Sequence, residues 1–369
     1  VLTRFCCIHN NNAPKRHNNN QLKEKDMSGS SLLRRGFAGA IIGASVLLSA
    51  CDPLAFISNQ TLRFVEKKLV PPMLKDTDYL MACQSGVAVT PLLMATENLG
   101  ADANQLGTLL YTTAALCAET VAFDNELRYL RASRAGNVEE AQDARIAQKR
   151  FAELAARRQL NAYNRFVTYY EKRYEIKIGE ECTDFYKDFD EFVYMLGLIT
   201  GLQAVLNDIT AQQAVGVPLD IAAKAERAFS CLDNKKWWGV PVAARAVIWN
   251  VLPGLDEGKD VWGAFNASMA LGEAAGVRLP HAMYALSAVG KDDNARVRDA
   301  IRRFTAVKED FKPNPQYGLV DSLAGFIVLS LSDKLWTEGA GTRTPPGSLG
   351  KFWDEKVEAP EGVDVGDLL

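Results

Sequence analysis

Histidine is scarce in this chain, with three in 369 residues, at His9, His17 and His281. The first two fall in an asparagine-rich stretch read below as a leader, which leaves His281 alone for the folded domain. One imidazole cannot build a multi-histidine zinc centre, a Glu-x-x-His di-iron bundle or a His-Glu-x-x-His protease. A Ser-His-Asp or Cys-His nucleophile would have to use His281, and its setting, Arg278-Leu279-Pro280-His281-Ala282, gives it structural duty in the first turn of a helix opened by Pro280. Cys-x-x-Cys pairs of the zinc-binding kind are missing from residue 51 onward, as are a Walker-type phosphate loop, a Gly-x-Gly-x-x-Gly turn after a strand and a Gly-x-Ser-x-Gly elbow. No excess of positive charge is present either: 42 Lys+Arg stand against 45 Asp+Glu, whereas a dedicated nucleic-acid binder needs a basic surplus to displace counterions from phosphates. With 48% apolar residues, 14 Pro and 27 Gly, the composition is that of a globular protein, and it excludes collagen-like, wholly disordered and polytopic membrane classes.

What is present begins with punctuation. Residues 1–26, with Asn10 to Asn12 and Asn18 to Asn20, show no apolar period and are expected to be unstructured or untranslated, with Met27 as the biological start. Residues 27–50 then read as an export signal: a polar opening, Arg34 and Arg35, an apolar run from Gly36 to Leu48 too short to cross ~30 Å of hydrocarbon, and small residues before Cys51. Leu48-Ser49-Ala50-Cys51 resembles the lipobox of bacterial lipoproteins. The resemblance implies cleavage between Ala50 and Cys51 and acylation of the Cys51 thiol, with acyl chains contributing ~0.8 kcal/mol per buried CH2 to a lasting anchor. The lipobox resemblance implies a place on the periplasmic side of a bacterial membrane, and Asp52, which resembles the residue that retains some lipoproteins at the inner membrane, favours that membrane slightly. Arg34-Arg35-Gly36-Phe37 is similar to a twin-arginine signal, although Leu33 stands where that pattern favours Ser or Thr and general secretory export serves equally.

Removing residues 1–50, which hold seven Lys/Arg and two Asp/Glu, leaves 35 basic and 43 acidic residues, a charge of about −8. Four cysteines then remain besides Cys51: Cys83, Cys117, Cys182 and Cys231. In an oxidising envelope they can form two disulfides in any of three pairings, with buried free thiols as the rival state.

From Leu54 the periodicity is helical almost throughout, so the fold class is all-α. Helices are expected over residues 54–69, stopping before Pro71-Pro72, and 86–99, ending at Gly100. A third is expected from a capping box at Asp102 and Gln105 to Ser133, and then one long central helix over 138–174, capped by Asn137. Ala144, Ala147, Phe151, Leu154, Ala155, Ala162, Phe166 and Tyr170 form the apolar stripe of that helix. Eight basic side chains lie between Arg145 and Arg173, and six acids between Glu180 and Glu191, so a reversal near Gly179 is expected to pair the two runs. Further helices over 190–208, 218–231, 241–251, 261–275, 280–289, 295–311 and 317–335 are separated by short Gly/Pro breaks, which implies antiparallel pairs. The folded domain is assigned to residues 51–338, and residues 339–369, rich in Pro and Gly, to a surface tail.

Gly136-Asn137-Val138-Glu139-Glu140-Ala141 resembles the turn between helices of a tetratricopeptide repeat, and residues 288–295 look like a degenerate version. Ala225-x3-Phe229 and Ala300-x3-Phe304 are similar to the small-large pattern of that repeat's second helix, and Leu196-Gly197 to the Leu-Gly pair of its first. A lipoprotein leader followed by irregular helix pairs resembles the T component associated with TRAP-type solute uptake systems. That resemblance implies oligomerisation and docking of a soluble solute-binding protein or a transporter subunit; with the residues' lack of a catalytic or metal-binding signature, the expectation is a non-enzymatic binding or assembly module with no cofactor and no metal. Trp237, Trp238, Trp249 and Trp262 are the candidate binding surface, and they carry the alternative of a Trp-lined carrier for an apolar small molecule. A carboxylate enzyme built on Asp190 and Glu191 is the remaining alternative.

Overall fold

Wherever apolar residues recur at threes and fours from Pro53 onward, the chain is helical. The computed structural model of the protein describes residues 53–252, 254–306 and 311–355, and no strand occurs among them. The helices are α1 Pro53–Lys68, α2 Val70–Lys75, α3 Tyr79–Ala95, α4 Asn104–Arg134, α5 Val138–Tyr174, α6 Asp188–Thr210, α7 Ile221–Phe229, α8 Val240–Val251, α9 Val261–Ala275, α10 Leu279–Val289, α11 Asn294–Thr305 and α12 Gly318–Ala340. The expected all-α array of antiparallel neighbours with one long central helix is therefore the fold.

Four starts, those of α3, α5, α9 and α11, carry side-chain caps. Asn137 accepts the Glu140 amide at 3.2 Å, Asp293 accepts that of Arg296 at 3.0 Å, and Asp260 that of Gly263 at 2.8 Å. Several boundaries differ from the sequence reading: the helix expected over 295–311 ends at Thr305, the one expected over 317–335 runs on to Ala340, and the one expected over 218–231 is shortened to Ile221–Phe229. Pro71 and Pro72 do not end structure; they occupy the first turn of α2, where an amide has no intrahelical partner to lose. α3 starts at Tyr79, not at Gly86, because the Asp78 carboxylate caps it, accepting from the amides of Leu80 and Met81 at 3.0 Å. The Asp102–Gln105 capping box does not form: Asp102 accepts from the Asn104 amide, while Gln105 reaches across to Asp190.

The centre is the trio α4, α5 and α6, of which α5, with 37 residues, is about 55 Å long. Its buried stripe keeps Ala144, Ala155, Ala162, Phe166 and Tyr170, but Leu154 is exposed, and Gln148 and Gln159 are drawn inside instead. Small residues set the spacing. A Cβ on Gly86 would lie 2.6 Å from the Ala114 nitrogen, so α3 meets α4 backbone to backbone, and Gly197 of α6 leaves room for the Phe166 ring of α5. α7 to α11 continue as successive pairs, with Ala225, Phe229, Ala300 and Phe304 all buried. α12 then turns back to pack on α10 and α11 and also on α2, α3 and α4. The closing contacts include Ser322 Oγ donating to the Thr77 carbonyl, Lys334 paired with Glu126 at 2.9 Å, and Arg134 donating to the Glu338 carbonyl at 2.7 Å.

Beyond α12, residues 341–355 are held against the domain. Phe352 is buried, Trp336 donates to the Lys351 carbonyl at 3.1 Å, and Arg298 pairs with Asp354 at 2.9 Å. Structure therefore runs well past residue 338, where the folded domain was expected to end.

Among the described residues three segments, Tyr79–Leu99, Asn104–Arg134 and Asp188–Thr210, are long and apolar enough to cross a membrane. α5 lies along α4 and would have to cross with it. It carries exposed charges such as Arg150 and Arg157 mid-helix, which hydrocarbon does not accommodate at low cost.

Candidate functional site

Ala50 and Cys51, with the whole of residues 27–50, lie outside the described residues. α1 begins at Pro53, directly after Cys51 and Asp52, so the segment assigned to the anchor leads without a linker into the helical domain. The remaining cysteines form two bridges: Cys83 of α3 to Cys117 of α4, with Cα atoms 5.3 Å apart, and Cys182 to Cys231, with Cα atoms 5.4 Å apart. They close sequence separations of 34 and 49 residues, and they select one of the three pairings left open by the sequence.

The four tryptophans do not form one surface. Trp237 and Trp238 sit in the turn before α8, where the Asp233 carboxylate accepts from the amides of Lys235 and Lys236 and folds both rings inward. There they pack with Phe192 and Tyr317, ring centroids lying 5.9 Å apart for Phe192–Trp237 and 4.7 Å for Trp238–Tyr317. Trp237 is only 2% exposed. Trp249, on α8, donates its indole N–H to Glu226 at 2.8 Å. Trp262 belongs to a separate group with Phe265 and Tyr284, under the Arg296 guanidinium. The expected Trp-lined binding surface is corrected to two packed aromatic groups and one tethered ring, since burying these large rings against helix ends removes more apolar area from water than presenting them would.

Asp190, the carboxylate on which an enzymatic reading would rest, is fully buried at the start of α6. It accepts from Gln105 Nε2 at 2.8 Å and from the Tyr174 hydroxyl at 2.7 Å, while the Tyr170 hydroxyl donates to its backbone carbonyl. Burial, reinforced by the Asp190 charge, raises both phenols above their ordinary range, so they stay donors. Glu191, itself largely buried, pairs instead with Lys236, which also holds Asp188 at 2.7 Å. The neighbouring pair Asp190–Glu191 is thus split between a core tie and a rim ion pair. Among the described residues no group of three or more His, Cys, Asp or Glu is placed to hold a metal ion.

His281 is buried in the first turn of α10, with Nε2 2.9 Å from Glu273 Oε1. Burial lowers its pKa, although the Glu273 carboxylate pulls the other way. A second polar tie was not legible in the sequence. Glu119 of α4 accepts from Gln159 of α5 at 2.8 Å and from Asn207 of α6 at 2.7 Å, and Asn207 also donates to Gln159 at 2.9 Å. Burial raises the Glu119 pKa against the two amide donors. Polar residues interrupting an apolar stripe are the only trace such a tie leaves in sequence.

The expected pairing of the basic run on α5 with the acids of 180–191 is also corrected. Among the described residues Arg165 pairs with Glu97, in the turn between α3 and α4, and Arg157 with Glu153 on its own helix. Arg173 instead lies over the Tyr186 ring, 5.3 Å from its centroid. The reversal near Gly179 brings the start of α6 against the end of α5 through Tyr170 and Tyr174, which bond Asp190, and no ion pair between the two runs forms among the described residues.

Two exposed faces escaped the sequence reading. α3 contains no charged residue between Tyr79 and Ala95, yet Met81 and Leu92 are exposed. α1 turns Phe56, Ile57 and Phe64 outward while burying Ser58 and Leu62. The signal available was the run without charge in α3 and, in α1, large apolar residues on two faces instead of one. Comparison with protein-family models, with curated proteins and with solved structures finds no match for this chain.

Proposed function

We propose that the protein is a bacterial lipoprotein, tethered through acylated Cys51 to the periplasmic side of a membrane, whose helical array acts as a binding or assembly module accessory to TRAP-type solute uptake. The observation that carries the reading is the order of residues 34–53: paired arginines, a short apolar run, Leu48-Ser49-Ala50-Cys51, and α1 starting at Pro53. Two disulfides support an oxidising destination, since reducing compartments disfavour them. The stacked antiparallel helix pairs support a scaffold that presents surface to a protein partner, a solute-binding protein, a transporter subunit or a further copy of the chain. Anchoring raises the effective concentration of such a module near a membrane transporter without any new contact.

The test is expression from Met27 in a bacterium, followed by mass analysis of the mature amino terminus and in-cell crosslinking. The expected product begins at acylated Cys51 and is captured with a transport component or a second copy. A cytosolic chain that keeps residues 27–50 and has an unmodified Cys51 sinks the proposal. With acylation intact but no transport component captured, the anchor stands and the link to uptake falls.

A further inference from the structure

α1 is an unusual surface helix. Its inner face is small and partly polar, with Ser58 and Leu62 buried, whereas Phe56, Ile57 and Phe64 are 63%, 60% and 59% exposed. These three share one arc with Gln60 and Thr61 and line a shallow groove along the outside of the helix. The last turns are basic: Arg63, Lys67 and Lys68 make no ion pair among the described residues, and the one acid, Glu66, is taken by Lys187 at 3.2 Å. In a chain that carries about −8 from Cys51 onward, this helix is a local cationic and apolar patch. Pro53 is two residues beyond Cys51, so its Cα lies within ~7 Å of the Cys51 Cα however the link is bent.

We infer that α1 lies in the membrane interface, with Phe56, Ile57 and Phe64 in the acyl boundary and Arg63, Lys67 and Lys68 against anionic headgroups. The inference rests on the Cys51 anchor for its starting position and on the outward face of α1 for its content. Aromatic and aliphatic residues on one face beside lysines and arginines are the composition by which an amphipathic helix binds a bilayer surface, through buried apolar area and attraction to anionic lipid. A second copy of the chain on the same face is the competing occupant, and it would leave Arg63, Lys67 and Lys68 without an acidic partner on α1 other than Glu66, which Lys187 already holds. With α1 in the interface, the anchor becomes a two-part device, covalent chains plus a lying helix, and the domain is held at a fixed tilt instead of swinging on a tether.

The experiment uses the full chain, purified from its membrane and placed in vesicles of phosphatidylethanolamine and phosphatidylglycerol that contain a diazirine-bearing phospholipid. Illumination is followed by peptide mapping and by separate mass analysis of Cys51. The expected result is lipid label on peptides from residues 53–68. It should fall about tenfold or more in the combined Phe56→Asp, Ile57→Asp and Phe64→Asp variant and stay unchanged in Ile146→Asp, which alters an exposed apolar residue of α5. Lys67→Glu with Lys68→Glu, which leaves the apolar face intact, should lower the label in these vesicles and not in pure phosphatidylcholine. No label on 53–68 while Cys51 is acylated overturns the inference and leaves the anchor standing, as does label confined to α3. Crosslinks from α1 to a second copy in place of lipid overturn it too. With Cys51 unacylated, label on 53–68 in added vesicles still upholds the interfacial helix and its absence rejects it.

Discussion

At the scale of single residues, what holds this fold together beyond apolar burial includes a small set of polar ties between helices. Asp190 joins the starts of α4 and α6 to the end of α5 through Gln105 and Tyr174. Asp190→Ala is expected to cost about 1–3 kcal/mol in chemical denaturation, because it strands a buried amide and a buried hydroxyl. Asn207→Ala should cost a similar amount by removing both donors of one side chain from Glu119 and Gln159. His281 gives a pH dependence whose sign follows from its burial. Its pKa is lowered in the fold, so the unfolded chain binds the proton more readily. The corresponding stability is present above ~6.5 and is lost as pH falls from there through the folded value. His281→Gln is expected to flatten the melting-temperature profile as pH falls below about 6.5, and a variant that parallels the parent curve would show that His281 is not the group responsible. Such ties were invisible in the sequence because they join residues as much as 88 positions apart, as in Glu119–Asn207, and a polar residue on a helix looks the same whether it meets water or a partner.

Among elements, the helices that could be read directly were those whose ends carry their own chemistry. α5 runs from Asn137's cap to Tyr174 as expected, and α9 spans Val261–Ala275 as expected. Misreadings arose where a residue has two uses. Gly86 resembles a boundary, but it sits inside α3 where the backbone of α4 passes close by, and Pro71 and Pro72 open a helix instead of closing one. Gly86→Val is therefore expected to wedge α3 from α4 and destabilise the protein by about 1–3 kcal/mol or more, checked by denaturant titration, with the overpacking unable to relax because the obstacle is backbone. The Cys83–Cys117 bridge spans the same crossing. Cys83→Ser with Cys117→Ser should lower stability by about 2–4 kcal/mol in an otherwise oxidised protein, and an unchanged unfolding midpoint would mean that the crossing is held by packing alone.

For the molecule as a whole, the array does not end where it began to look irregular in sequence. The all-α class and the order of helices were legible, since each follows from local periodicity; the closure of α12 onto α2, α3 and α4 was not, because it joins residues about 200 positions apart, as in Arg134–Glu338. The same holds for the candidate site. The order of residues leading to Cys51 can be read along the chain, whereas the burial of Trp237 and Trp238 depends on Phe192 and Tyr317, which arrive from distant helices. The return of α12 also bears on how such a chain comes into being. A ribosome or an export channel releases the polypeptide from its amino terminus onward, so the early helices must wait, with the surfaces that meet Gly318, Ser322 and Lys334 still bare, until α12 has emerged. Completion is thus a late event, and a nascent chain stalled before α12 is a natural client for a chaperone.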